Sequence, residues 1–412
     1  MRKLQAPRGT LDVLPPDARR RLDVVAIAGE VLGRAGYEPM ETPVFEDTEL
    51  FARGVGESTD IVQKEMFTFE DKAGRSLTLR PEGTAGVCRA YIEHGMHKLP
   101  QPVKVWYAGP FFRHEAPQAG RFRQFTQIGA EAVGSDDPTL DAELILLLAE
   151  IFERAGTGPA RLRLSSLGTP ETRADYLEEL TRFLRARESE LSEDVRARLD
   201  QNPLRAFDAD HAGTQAVMAE APRLVDRLTP DDREHFETVK AFLGGVGVDF
   251  EEDSTLVRGL DYYTRTVFEF ESERLGAQAA LGGGGRYDGL VEELGGQPTP
   301  GVGWAAGVER MLLASDRPGD EGPVDVFVAL ADGGASRNGF FMVQRLRQAA
   351  LRAELEQAGR GMKGQLRHAN RIGARVVLII GDGIEVKDME TGEQRVAASV
   401  EDALGMVEEL LA

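Results

Sequence analysis

Apolar positions along the first 155 residues alternate between two periods. From Pro16 to Ala35 they recur at helical spacing and stop at Gly36, which predicts a helix with a glycine end signal. Leu77–Arg80, Val103–Ala108, Phe111–Glu115 and Phe122–Val133 read as strands, and the last alternates for much of its length, as a half-buried antiparallel strand does. Asp141–Ala155 is a strongly apolar helix closed by Gly156. Between about Thr169 and Leu243 the strand signals vanish and charged residues dominate. Pro170, Pro203, Pro222 and Pro230 divide this stretch into short helices. Tyr176, Leu177, Leu180 and Leu184 recur at helical spacing, so it reads as a folded helical insertion and not a linker. Strands resume near Val248, and Gly303–Ala314 reads as another helix.

Asp316-Arg-Pro-Gly-Asp-Glu-Gly-Pro323 is a breaker-rich linker. Beyond it come a strand at Val324–Leu330, helices at Asn338–Gln357 and Met362–Ile372, and a strand at Arg375–Ile380. That order implies a small α/β domain with a largely parallel sheet. The expected division is a core in two parts, 1–168 and 244–315, around an insertion at 169–243, then a linker at 316–323 and a last domain at 324–412. There is no internal repeat, heptad array or low-complexity tract.

Composition narrows the class. A chain of 412 residues exceeds one ordinary core and implies two or three domains. With 42% hydrophobic and 29% charged residues it reads as soluble and globular, and its longest apolar stretch, around Leu144–Leu148, is too short for a bilayer. The opening Met1-Arg-Lys-Leu-Gln-Ala-Pro7 has no apolar run behind its basic residues, so it does not read as a signal peptide. A lone Cys88 excludes intrachain disulfides and fits a reducing cytoplasm. Of six histidines only His94 and His97 are close in sequence, and without a further ligand nearby they read as surface residues, so no resident metal site is expected. A net charge of −20 argues against indiscriminate nucleic-acid binding; any RNA contact must be local.

Three segments carry candidate chemistry. Arg258-Gly-Leu-Asp-Tyr-Tyr-Thr264 sets a cation, two phenols and a carboxylate on a turn before the apolar Thr266–Phe270. Those groups suit a pocket that orients a small polar ligand and neutralises an anion; a loop arginine with two core tyrosines would look the same. No Gly-x-x-x-x-Gly-Lys-Ser/Thr phosphate loop is present. Phe111–Phe125 instead places Arg113 before a Pro/Gly loop and Arg121 and Arg123 at the return strand, where forked donors could grip a phosphate, or simply decorate an exposed hairpin. Arg345, Arg347, Arg352, Arg360, Lys363, Arg367, Arg371 and Arg375 face only Glu354 and Glu356 over the same interval. That run is either a solvated helical face or an RNA-facing surface.

These segments resemble known motifs. RGLDYYTRTVFEF at 258–270 resembles the histidine-specific motif of histidyl-tRNA synthetases, and GGGGRYDGL at Gly282–Leu290 resembles the second one of that family. Phe111–Phe125 matches motif 2 of class II aminoacyl-tRNA synthetases; Gly36–Val44, with Pro43, resembles motif 1, and Gly303–Arg310 resembles motif 3. Thr78-Leu-Arg-Pro-Glu-Gly-Thr84 resembles a substrate-binding turn, and Pro7–Pro15 the family's opening. The likeness covers essentially the whole chain, with its motifs in order.

The resemblance implies a mixed α/β fold: a class II antiparallel sheet flanked by helices, a helical insertion and a carboxy-terminal α/β anticodon-binding domain. It implies ATP-dependent charging of tRNA(His) with L-histidine, magnesium with the ATP, and a homodimer built partly by motif 1. Arg113 and Arg258 would flank the α-phosphate as catalytic residues, and Arg113, Glu115, Arg121 and Arg310 would bind ATP. Histidine would be held by Glu82, Gly83, Thr84, Gln127, Glu131, Arg258, Tyr262, Tyr263 and Tyr287. Of these, Glu131 and Tyr263 would face the imidazole, Glu82, Thr84 and Gln127 the amino group, and Tyr287 would close the pocket. tRNA would meet Gln118, Arg123, Arg360, Lys363, Arg367 and Arg371. Two departures stand out: Ala116 replaces an arginine often found after the motif 2 glutamate, and Gly381–Lys387 is short enough to trim an edge hairpin. Two other readings fit the sequence less well. A non-catalytic synthetase-like regulator of histidine biosynthesis generally lacks the Arg-Gly-Leu-Asp-Tyr-Tyr run and the anticodon domain; an RNA-binding module leaves the arginines and the histidine pocket unexplained.

Overall fold

Six antiparallel strands form the centre of the larger sheet. The computed structural model describes residues 3–56, 59–200, 202–276, 279–317 and 324–412, in two units, Met1–Gly319 and Asp320–Ala412. In the first unit an eight-stranded sheet runs Glu38–Pro39, Val103–Phe112, Gln124–Val133, Gly301–Gly307, Ala280–Arg286, Thr264–Glu271, Arg161–Ser166, Glu251–Glu252. Only the two short outer strands pair in parallel. Helices Asp17–Arg34, Pro138–Arg154 and Pro230–Gly245 bury Leu32, Leu148 and Val239 in one core with Ile128, Phe268 and Trp304 of the sheet. Because strand side chains alternate, Gln124–Val133 sends Ile128, Ala130 and Ala132 into that core and turns Gln127, Gly129 and Glu131 to the opposite face. That second face carries the site.

Several expectations change in detail. Val103–Ala108 and Phe111–Glu115 are one strand, Val103–Phe112, so Arg113, Arg121 and Arg123 lie in the connection to Gln124–Val133. Gly303–Ala314 is not one helix: Gly301–Gly307 is a central strand and only Val308–Ala314 is helical. Its Gly and Ala residues gave no strand signal because they serve close approach. A Cβ on Gly303 would lie 1.6 Å from Glu131 Oε2. Gly282–Gly285, in the strand Ala280–Arg286, is packed as closely: a Cβ on Gly284 would sit 2.0 Å from Gly303 O. In the 169–243 stretch, Pro170 and Pro230 open helices Pro170–Arg185 and Pro230–Gly245, where a missing N–H costs nothing. The second of these packs on the main sheet through Phe236, Val239 and Leu243. Most of the linker expectation, from 318 to 323, lies outside the described residues.

The second unit holds a five-stranded sheet in the order Ala353–Leu355, Val326–Leu330, Val376–Ile380, Ile384–Asp388, Gln394–Ala397. The first three strands are parallel and the last two antiparallel, so the sheet is mixed and not largely parallel. The helix expected at Asn338–Gln357 is Ser336–Gln348; the chain then turns at Ala350 (φ 61°) into the edge strand Ala353–Leu355. Three residues are too few for alternation to register. The hairpin at Gly381–Lys387 is closed by a bond from Gly381 N to Gly383 O of 3.0 Å. Among the described residues, no helix is long and apolar enough to cross a membrane.

Candidate active site

A cavity of about 520 Å³ opens on the polar face of the sheet in the first unit. Arg113, Arg121, Arg163, Arg258 and Arg310 line it, against Glu115, Glu269 and Glu309. Cations cannot gather so closely without partial compensation. Arg121 Nη1 donates to Glu115 Oε2 at 3.1 Å, and Arg113 Nη1 lies 3.9 Å from Glu115 Oε1 while its Nε donates to Pro81 O at 2.9 Å. Arg258 pairs with Glu269, and Arg163 bridges Asp253 and Glu271. Burial, then the neighbouring Arg121, hold the Arg310 guanidinium below its usual pKa; its Nε donates to Ala280 O at 2.5 Å. The lining remains rich in positive charge, which suits a polyanion.

Beside the cavity lies a buried polar cluster. Glu131, with no exposed surface, accepts from Thr84 Oγ1 at 2.8 Å, Tyr287 Oη at 2.7 Å and Tyr107 Oη at 3.3 Å. Burial pushes its pKa up to about 8, although those hydroxyls pull the other way. Glu82 accepts from the N–H groups of Thr84 (2.7 Å) and Ala85 (3.0 Å), which open helix Thr84–Glu93; burial still raises its pKa. Gly83 is required here, since a Cβ would strike the Tyr107 ring at 2.3 Å. The Tyr262 ring lies 4.7 Å from Tyr263 and 5.9 Å from Tyr287, and the Arg258 guanidinium sits 5.9 Å from the Tyr263 ring centre. Gln127 lines the cavity, and its buried Oε1 has no hydrogen-bond partner. Arg258 Nε is also buried and unpartnered.

The structure therefore brings Arg113, Glu115, Arg121, Gln127, Arg258 and Arg310 around one cavity. Glu82, Gly83, Thr84, Glu131, Tyr262, Tyr263 and Tyr287 form the adjoining cluster and are not part of the cavity wall. Gln118 pairs through its backbone with Arg121, while Arg123 donates to Glu115 O at 3.3 Å and Arg8 O at 3.5 Å. In the second unit Arg360 pairs with Glu356, and Lys363, Arg367 and Arg371 are exposed on helix Met362–Arg371. Sequence reading missed three residues. Tyr107 reaches Glu131 because it stands opposite Gly129, and Arg163 stands opposite Glu269; only sheet register carries that information. Arg286, wholly buried, holds Asp141 at 2.7 Å and the carbonyls of Ser135 and Asp137 at 3.1 and 3.0 Å, fixing the glycine-rich strand from behind. Among the described residues no group of three or more His, Cys, Asp or Glu side chains is placed to hold a metal ion.

An antiparallel sheet with motif 2 arginines on one hairpin, a motif 3 strand–helix beside it and an arginine-lined cavity between them defines a class II aminoacyl-tRNA synthetase. The family model described as histidyl-tRNA synthetase matches residues 9–311, and one described as an anticodon binding domain matches residues 339–410. The histidine–tRNA ligase of Halothermothrix orenii is 47% identical over 401 residues, covering 95% of this chain and 96% of its own. The apo histidyl-tRNA synthetase of S. aureus superposes with a TM-score of 0.82 at 35% identity, covering both chains fully. A Bacillus halodurans protein described as an ATP phosphoribosyltransferase regulatory subunit/histidyl-tRNA synthetase gives 0.66 at 21% identity, over 91% of this chain and 97% of its own, a likeness of fold alone. The chain belongs to the histidyl-tRNA synthetase family.

Proposed function

We infer that this chain attaches L-histidine to tRNA(His) through a histidyl-adenylate made from ATP. The observation that carries this is the arginine-lined cavity, with the unpartnered Gln127 carbonyl in its wall, meeting a buried carboxylate–tyrosine cluster where Arg258 lies over Tyr263. The histidine carboxylate, ionised at neutral pH, attacks the α-phosphorus; a P–O bond forms to the amino acid and the bond to pyrophosphate breaks. No general base is needed, so catalysis consists of aligning two anions and stabilising charge on the phosphoryl oxygens. Arg113 and Arg258 flank that phosphorus. Arg121 and Arg310 hold the outer phosphates, with Glu115 orienting Arg121. Magnesium enters with ATP as substrate, held chiefly by phosphates and water, as this ion prefers.

Gln127 Oε1 receives the histidine ammonium, with Glu82, Gly83 and Thr84 shaping that end. Glu131 and Tyr263 select the imidazole, and Tyr262 and Tyr287 close around it. A buried site built to pair a polar side chain rejects analogues lacking it far better than an apolar slot would. The 169–243 stretch serves as an insertion in the catalytic unit, and 324–412 reads the anticodon through Arg360, Lys363, Arg367 and Arg371; Gln118 and Arg123 approach the acceptor end. The enzyme works as a cytoplasmic homodimer. Support for the dimer comes from Phe45 and Phe69, 51% and 43% exposed and 6.2 Å apart on the small sheet that follows motif 1. The regulatory reading is not favoured, since the Arg258–Tyr263 run and the anticodon-domain match are both present. The test is ATP–pyrophosphate exchange by the purified chain: exchange should require histidine and ignore other amino acids, and exchange indifferent to histidine rejects the reading.

A further inference from the structure

The loop that carries Arg258 is gripped by the helical insertion at alternate residues. Arg205 Nη2 donates to Gly259 O at 3.2 Å, Asn202 Nδ2 donates to Asp261 Oδ1 at 3.0 Å, and Arg173 Nη2, from helix Pro170–Arg185, donates to Tyr263 O at 2.6 Å. Just beyond, Arg265 adopts φ 43°, a left-handed conformation costly for a residue with a Cβ. It is held there by a bond from its N–H to Gly168 O at 2.8 Å, just before the insertion, and by its Nε on Asp232 of the insertion at 3.1 Å. The opposite side of the loop is fixed too: Asp261 N donates to Val55 O at 3.2 Å, and a Cβ on Gly56 would strike Asp261 Oδ2 at 2.6 Å.

Gly259 is only partly buried and water could satisfy its carbonyl, so the Arg205 bond exceeds what solvation requires; Tyr263 is buried, so its carbonyl needs a partner from the protein, and the insertion supplies it. Arg173 is also a costly way to fill space. Its Nε is buried without a partner, and burial lowers its pKa. An apolar side chain would pack there with less desolvation. What the guanidinium adds is direction: it fixes the peptide joining Tyr263 to the strand Thr264–Glu271, from which Glu269 holds Arg258.

We propose that Arg173, assisted by Arg205 and Asn202, is a positioning residue for adenylation, through which the insertion sets the place of Arg258. The proposal rests on the role given to Arg258 above. Misplacing a group that acts on the transition state by about 1 Å costs on the order of 100-fold in rate. Arg173 is not part of the cavity wall.

The test is a double-mutant cycle in pyrophosphate exchange with the full chain, using Arg173→Met, Arg258→Ala and the pair, each checked by thermal melting. Arg173→Met is expected to lower kcat by roughly 10- to 100-fold with the KM for ATP within about twofold, and Arg173→Lys to recover part of the loss. In the Arg258→Ala background the same change should alter the rate by less than about twofold, because the residue acts through Arg258. Losses that multiply in the double variant overturn the proposal, as does wild-type exchange in Arg173→Met alongside a crippled Arg258→Ala. Unchanged exchange in Arg258→Ala would instead remove the functional reading beneath it. Should Arg173→Met not fold, Arg205→Met replaces it and must show the same pattern.

Discussion

Replacing Glu131 by glutamine should make the protein's stability less dependent on pH while impairing its use of histidine. The Glu131 carboxyl is enclosed by Thr84, Tyr107 and Tyr287, and burial raises its pKa from 4.5 to about 8. The folded chain therefore keeps a proton at this site where the unfolded chain has released it. Stability from the group is complete below its ordinary pKa and is lost as pH climbs through the raised one. Each pKa unit is worth about 1.4 kcal/mol, so the wild type loses about 4 kcal/mol from this group alone between pH 5 and pH 9. Glutamine has nearly the same shape and does not ionise, so any fixed cost of its amide is the same at every pH. The assay is urea unfolding of both proteins, without substrates, across that range. The stability difference, variant minus wild type, should grow by about 4 kcal/mol toward high pH. Parallel curves would falsify the claim that this carboxyl is protonated in the folded protein. In pyrophosphate exchange the same variant should need more histidine at an unchanged ATP requirement, because an amide cannot become the anionic acceptor an imidazole N–H prefers.

Arg258→Ala should lower histidine adenylation by at least about 100-fold with the fold retained, as loss of a donor to the transition state does; normal exchange rates contradict the role. Arg286→Met leaves Asp141 buried without its main partner, which should cost about 3–5 kcal/mol in urea unfolding, since that ion pair has no exposed surface on either side. Burial opposes ionisation of Asp141, but Arg286 and His235 outweigh it and hold its pKa low, so an unchanged unfolding midpoint would mean the carboxyl is otherwise stabilised. Changing Lys363, Arg367 and Arg371 together to alanine should weaken tRNA charging and flatten its salt dependence by up to about two in log–log slope, with pyrophosphate exchange untouched. Equal loss in both half-reactions would show that helix Met362–Arg371 does more than hold RNA.

The sequence carried the site where local pattern and local chemistry coincide. Alternation in the Gln124–Val133 strand already separates Gln127 and Glu131 from the core-facing Ile128 and Ala130, and the structure puts them on opposite faces. Arg113 and Arg121 were legible through the resemblance of Phe111–Phe125 to motif 2, and both line the cavity. Gly301–Gly307 was misread because glycine and alanine, chosen for tight passage past Glu131, give a strand no signature. Tyr107 and Arg163 went unseen because their partners, Glu131 and Glu269, depend on cross-strand register that no local window contains. The grip of Arg173 on Tyr263 spans 90 residues of sequence and was equally out of reach.

The most direct measurement is charging itself. Purified full-length chain, ATP with magnesium, labelled L-histidine and a tRNA(His) transcript should yield histidyl-tRNA at a rate that falls to background when either ATP or the cognate transcript is left out. Charging of a non-cognate transcript equally well, or histidine-dependent exchange with no transfer to tRNA(His), would contradict the account.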